Sequence, residues 1–177
     1  MNDYLFDSER LRCRRWREAD LPALLAVYGD PEAMRWVGDG ETLTTDDGLN
    51  WMRVTQENYR LRGYGMFALE TRDSAEVIGF CGLIHPGGQT EAEVKYAFLR
   101  SQWGKGLASE MLAPLLVWGQ TQHGLKRIIA TIAPENSASR RVLIKAGMGF
   151  VEIRTEDDGT FTDVYEWLAP APATSGT

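Results

Sequence analysis

The sequence predicts a single α/β (α+β) domain: a twisted, mixed, mostly antiparallel sheet flanked by helices. Three observations lead there. Segments of period-two alternation or short apolar runs keep trading places with segments of helical spacing, and strands crowd the second half. At 177 residues the chain is long enough for one well-buried core and short for two. Its 44% hydrophobic and 25% charged residues are those of a globular protein.

Residues 9–16 alternate, with Leu11 and Cys13 on one face and Arg10, Arg12 and Arg14 on the other, as in a half-buried strand. These arginines, with Arg15 and Arg17, read as a solvated strand face rather than a basic patch. Asp20 is expected to cap a short helix through Leu21, Leu24, Leu25 and Tyr28, with Pro22 in its first turn. Asp30-Pro31 breaks that helix, and residues 32–37 make another short turn. After a loop at 38–41, Thr44 or Thr45 caps a helix carrying Leu49, Met52, Gln56 and Tyr59.

Strands are expected at 66–71, 77–84 and 93–99, with a turn at 72–76 and a stop at His85-Pro86-Gly87-Gly88. Residues 108–123 form a helix with Met111, Leu112, Leu115 and Trp118 in a stripe, and Pro114 inside should kink it or free a carbonyl. A short buried strand follows at 127–132, then a helix at 137–146 ended by Gly147. Strands at 150–155 and 161–167 flank Asp158-Gly159, a hairpin signal. Residues 169–177 lack apolar periodicity and are expected to be a disordered tail, which leaves 8–168 as the domain.

Net charge is −6, from 19 Lys plus Arg against 25 Asp plus Glu, which disfavours nucleic acid and suits a cationic partner such as an amine. Cys13 and Cys81 lie in separate strands, outside any Cys-x-x-Cys pair. With two histidines in all, a metal site is not expected. The acidic, polar start is unlike a signal peptide, and no apolar run approaches the ~20 residues that cross a bilayer. The expectation is a cytoplasmic protein that binds no membrane.

Chemistry concentrates at LRSQWGKGLASEM, residues 99–111. A P-loop needs Gly-x-x-x-x-Gly-Lys-Ser/Thr, and neither that spacing nor the hydroxyl is present. A dinucleotide fingerprint needs a third glycine where Ser109 stands, then an acid after the next strand. A pyrophosphate loop of the coenzyme A type needs free backbone amides where a strand turns into a helix, and Gly104 and Gly106 clear that approach. A plain strand-to-helix turn accounts for these thirteen residues equally well.

A second stretch, TIAPENSASRRVLIKAGM at 131–148, adds Asn136, Ser139, Arg140-Arg141-Val142-Leu143 and Lys145-Ala146-Gly147-Met148. With residues 103–110 these resemble the GNAT superfamily of N-acetyltransferases, in its ribosomal-protein N-terminal acetyltransferase (RimJ/RimL-type) branch. Residues 11–37 and 91–106 look like that branch too, so the resemblance spans about 8–168. Two departures are Ser101, where Gln or Arg usually opens the loop, and Pro114 within the helix.

The resemblance implies a GNAT-like acyl-CoA N-acyltransferase fold with acetyl-CoA as cosubstrate and no metal. Two strands would splay so that the pantetheine arm pairs like an added strand. It implies cofactor contacts from Phe98, Leu99, Arg100, Gln102, Trp103, Gly104, Lys105, Gly106, Leu107, Ala108, Asn136, Ser139 and Arg140, with a backbone N–H near Phe98 polarising the thioester. Arg141 reads as an exposed charge. Glu93 is the candidate base, with Glu91 as rival or a solvated acid as the plain alternative. Ser139 is the candidate proton donor to the leaving thiolate, or only its hydrogen-bond partner. Trp36, Trp51, Asp39 and Glu41, with Glu93, would receive the amine, although either Trp could equally be core.

The expected reaction is direct attack of a primary amine, on a protein N-terminus or a small molecule, in a ternary complex by a monomer or homodimer. No cysteine sits where an acetyl-enzyme would form. An acyl-CoA-binding module without catalysis would keep the glycine loop and need neither Glu93 nor Ser139.

Overall fold

The computed structural model describes residues 3–171. Of the tail expected at 169–177, residues 172–177 lie outside the described residues. Eight strands form, β1 (Tyr4–Asp7), β2 (Leu11–Arg14), β3 (Met66–Thr71), β4 (Val77–Ile84), β5 (Ala92–Phe98), β6 (Arg127–Ile132), β7 (Gly149–Thr155) and β8 (Phe161–Leu168). Their order in the sheet is β1-β2-β3-β4-β5-β6-β8-β7, antiparallel at every step except β5 to β6. The helices are α1 (Leu21–Tyr28), α2 (Pro31–Met34), α3 (Thr45–Arg62), α4 (Leu107–His123) and α5 (Ser137–Lys145).

The apolar runs of β3 and β4 are explained by burial on both faces. Phe67 and Leu69 join one core with Leu83, Met111, Leu112, Leu115 and Ile128, under α4 and α5. Met66 and Ala68 point the other way, into a core with Leu24, Val27, Tyr28, Met52, Phe80 and Ala97 under α1 and α3. Helix ends follow their signals. Thr44 and Asp47 cap α3 reciprocally, Asp30 accepts from the Glu32 amide at α2, and Gly63 closes α3 at φ +80°.

Some details differ from the sequence reading. The first strand, β1, comes before the expected domain start at 8, because four residues are too few to show a period. At the other end, the Ala169 amide still bonds the Lys126 carbonyl. Asp20 makes no side-chain cap to α1, since its carboxylate takes the Arg17 amide and the fork of Arg14 instead. Arg14 is therefore a buried ion-pair residue at 4% exposure, not part of a solvated face. Pro114 sits inside α4, which runs on to His123 as expected.

Where β3 pairs with β4, Gly82 stands opposite Met66 and lies against the chain at Gly65. A Cβ there would sit 2.2 Å from the Gly65 carbonyl oxygen, a contact no side chain rotation relieves. Gly82→Ala is expected to cost about 3 kcal/mol as an overpacked core site, read as a lower urea midpoint at unchanged slope. An unchanged midpoint would show that the two strands separate freely.

Candidate active site

The site begins where a ladder stops. Strands β5 and β6 pair only at Ala92↔Ile128 and Glu93↔Ile129, although β5 continues to Phe98 and β6 to Ile132. Beyond those two pairs they diverge, and a cavity of about 620 Å³ opens along the second half of β5. Tyr96, Ala97 and Phe98 form its floor, the turn before α4 one end, and α5 a side.

The turn is held from below. Trp103 Nε1 donates to the Phe98 carbonyl at 3.1 Å, and Gln102 N to Leu99 O at 2.9 Å. Gly104 and Gly106 take φ of +75° and +78°, where a side chain would be strained, and nothing lies within 4 Å of Gly104's missing Cβ. Helix α4 starts with no side-chain cap, so its first-turn amides and dipole face the cavity with Ala108 and Ser109 in the wall. Arg10 braces the turn, donating to the Lys105 carbonyl at 2.9 Å and to Glu110 at 2.7 Å. Burial would raise the Glu110 carboxyl, but bonds from Ser8 and Arg10 outweigh it and hold the group below its usual range.

Midway, the Tyr96 hydroxyl and Ser139 Oγ lie 3.0 Å apart, both in the cavity wall. Burial pushes the Tyr96 phenol above its ordinary value, with the Ser139 bond offsetting part of the rise. Asn136 Oδ1 caps α5 through the Ser139 amide at 3.1 Å, and the residue also lines the cavity.

A niche of about 60 Å³ adjoins this pair, walled by Tyr28, Trp36, Val37, Lys95, Tyr96 and Thr131. Lys95 and Thr131 both bind Glu93, which is 2% exposed. Thr131 donates to Glu93 Oε1, Lys95 forms an ion pair with the same oxygen, and Gln89 Nε2 donates to Oε2 at 3.0 Å. Glu93 is thus a buried, partnered carboxylate and not a solvated strand end. Its rival Glu91 pairs with Arg127 at 3.0 Å on the exposed side.

The structure brings Phe98, Gln102, Trp103, Gly104, Gly106, Leu107, Ala108, Asn136, Ser139 and Trp36 to the cavity. Other expected contacts lie elsewhere among the described residues. Arg100 pairs with Asp30, and Leu99 packs against the cores. Lys105 Nζ bonds Gln102 Oε1 beside the turn, and Arg140 is taken by Asp163 and the Pro134 carbonyl. Trp51 packs on Trp16, Tyr28 and Phe80 in the core. Asp39 accepts from the Glu41 amide in an exposed turn, and neither lines the cavity.

Arg141, not Arg140, faces the cavity, together with Ala138, Val142 and Lys145. Their spacing of three, four and seven along α5 is one helix face, and that spacing is legible in the sequence. Tyr96, Lys95 and Thr131 carry no such signal.

The model of the GNAT acetyltransferase domain family matches residues 10–149. The chain belongs to this family. It is therefore an N-acetyltransferase, and its splayed strands and glycine turn lie within the matched residues. YoaA of Bacillus subtilis, described as an uncharacterized N-acetyltransferase, is 27% identical over 173 residues, covering 94% of this chain and 97% of that protein. Among solved structures, RimL, the ribosomal L7/L12 α-N-protein acetyltransferase in complex with coenzyme A, superposes with a TM-score of 0.80 at 16% identity, covering 93% and 97% of the two chains. The structure of yncA of Salmonella typhimurium with its cofactor acetyl-CoA gives 0.71 at 20%, covering 94% and 98%. No helix among the described residues is long and apolar enough to cross a membrane.

Proposed function

We propose that the cavity takes acetyl-CoA and that the adjoining niche takes the end of a primary amine. The observation that carries this reading is the early end of the β5–β6 ladder. It leaves the β5 backbone open beside a cavity with an uncapped helix N-terminus at one end. An anionic pyrophosphate suits the first-turn amides of α4, with Arg141 and Lys145 on the facing helix. The CoA-bound RimL and acetyl-CoA-bound yncA structures support the same assignment at the level of fold.

The chain's groups divide the proton work. Thr131, in the niche wall, already donates its hydroxyl proton to Glu93, so an ammonium proton passes to Thr131 as Thr131's own passes to Glu93. The freed amine attacks the thioester carbon, the carbon–sulfur bond breaks, and the second proton shed by the attacking nitrogen passes to the departing thiolate, leaving the amide and the coenzyme A thiol. The Tyr96–Ser139 pair stands across the cavity as hydrogen-bond donor to that sulfur. A phenol pushed up by burial donates a hydrogen bond while keeping its proton more readily than a free one.

The acceptor is a protein N-terminus or a small primary amine in the cytoplasm. Thiol release should be followed against N-terminal peptides, amino acids, polyamines and aminoglycosides. Turnover is expected with one class, with kcat reduced about tenfold or more in Ser139→Ala and Tyr96→Phe and little change in the acetyl-CoA KM. Wild-type kcat in both variants would remove this pair from the reaction, and no thiol release with any amine would overturn the assignment of the niche.

A further inference from the structure

The two edges of the sheet are treated differently. At one edge β1 lies under α4, where Phe6 packs on Trp118 with ring centres 6.4 Å apart. At the other edge, β7 is paired on one side only, and six of its seven residues are exposed, with Arg154 intermediate. Free edges of soluble proteins are ordinarily blunted by proline, charge, shortness or a bulge; β7 (GFVEIRT) has seven residues, no proline and no lysine, and its charges Glu152 and Arg154 are of opposite sign beside a bulge confined to 150–152.

What β7 shows instead is apolar. Phe150 is 56% exposed and Ile153 63%, and Phe161 on the neighbouring strand is 56% exposed. The ladder sets Phe150 opposite Tyr165, Ile153 opposite Asp163 and Thr155 opposite Phe161. Residues directly opposite one another share a face, so Phe150, Ile153 and Phe161 form one apolar row along the edge. That face is the one α5 covers further in, since Tyr165 belongs to the α4–α5 core, and Ile144 of α5 is exposed as well.

The charges say which partner fits. Two identical antiparallel strands meet about a two-fold axis perpendicular to the sheet, which keeps each face on its own side and sets one residue against its own copy. An axis at 152 would oppose Glu152 to Glu152, and an axis at 154 would oppose Arg154 to Arg154. An axis at 153 opposes Ile153 to Ile153 and crosses the charges, so that each Glu152 faces an Arg154. The one irregularity of β7, between Phe150 and Glu152, leaves residues 152–155 in regular register for this pairing.

We propose that β7 is the two-fold interface of a homodimer, pairing antiparallel with β7 of a second copy about Ile153 and joining the two sheets. The rows of Phe150, Ile153 and Phe161 from the two copies then lie on one face of a continuous sheet and shield one another from water. The interface stands apart from the cavity, so it holds or fails independently of the acetyl-transfer reading.

Sedimentation equilibrium of the full chain is expected to give twice the single-chain mass. Arg154→Glu should weaken the dimer by about tenfold or more, because two favourable cross-strand pairs become like-charge pairs. Glu152→Arg with Arg154→Glu should restore it, since the crossing is regenerated with signs exchanged. Ile153→Cys should form a disulfide-linked dimer on mild oxidation, because cross-strand Cα separations of ~4.5–5.5 Å suit that bond and Cys13 and Cys81 are buried. All these substitutions are at exposed or half-exposed positions, so the variants keep their fold. A single-chain mass for the wild type would overturn the proposal. So would a dimer indifferent to the charge reversal whose Ile153→Cys form does not cross-link.

Discussion

Glu93→Gln is expected to lower kcat about 10²-fold or more at pH 7, with the defect shrinking as the pH approaches 9. The pH dependence distinguishes a base from a structural acid. An α-amino group has a pKa of ~7.7–8.0, so most of it carries a proton at pH 7 and little of it does at pH 9. A group that removes that proton matters in the first condition and is redundant in the second. Glutamine preserves the shape and the bond from Thr131 but leaves Lys95 without its carboxylate. Lys95→Met supplies the control, since it breaks the same ion pair while keeping Glu93. If Glu93 only positions Lys95, the two variants will lose activity alike and by the same factor at both pH values. If Glu93 takes the proton, only Glu93→Gln will show the steep recovery.

The sequence made much of this site legible, because several of its parts are local. The glycines of the turn before α4 and the Asn136/Ser139 pair at the start of α5 are short-range patterns, each tied to a single strand-to-helix turn. The partners that reach Ser139 and Glu93 only through the parting of β5 and β6, Tyr96 and Thr131, were not legible. Tyr96 and Ser139 are 43 positions apart, and Glu93 and Thr131 are 38. A tyrosine in an alternating strand has no mark that separates a cavity floor from a core position. That Arg141 rather than Arg140 lines the cavity was hidden for a different reason. Both are exposed enough to be charged, and only the face of α5, set by its packing through Leu143, decides which one reaches the cavity. Trp51 fell to the core because α3 presents it to Phe80, a contact fixed by tertiary packing.

Arg14 is the clearest case of a pattern that misleads. Alternation in residues 11–14 correctly sets Arg12 and Arg14 opposite Leu11 and Cys13, yet it cannot tell a face turned to water from one enclosed by the rest of the fold. In the fold, Arg14 is enclosed, with Nε on Glu70 at 2.7 Å and its two terminal nitrogens on Asp20 at 2.8 and 3.0 Å. Tyr4 of β1 gives Glu70 a second donor at 2.6 Å, so the missed first strand and the misread arginine belong to one network.

Removing that guanidinium should have the largest effect on stability of any substitution considered. Arg14→Ala strands two buried carboxylates, a change expected to cost about 3–5 kcal/mol. For a chain of this length that lowers Tm by about 10 °C. Arg14→Lys should recover little, because one ammonium cannot serve Glu70 and both oxygens of Asp20. Acid provides the sharper test. Burial by itself would raise the Asp20 carboxyl, but the Arg14 fork and the Arg17 amide outweigh it and hold the group below its usual range. A carboxyl lowered in this way contributes its full stabilisation above the unfolded value of ~3.9, and loses it as the pH falls through the folded value. The variant lacks the fork, so the gap between it and the wild type should be widest near pH 7 and narrow below about pH 4. Urea midpoints at pH 7 and pH 3 measure both gaps. A gap of the same size at both would mean that Arg14 stabilises the fold through its packed alkyl stem alone, with the ion pairs adding nothing net.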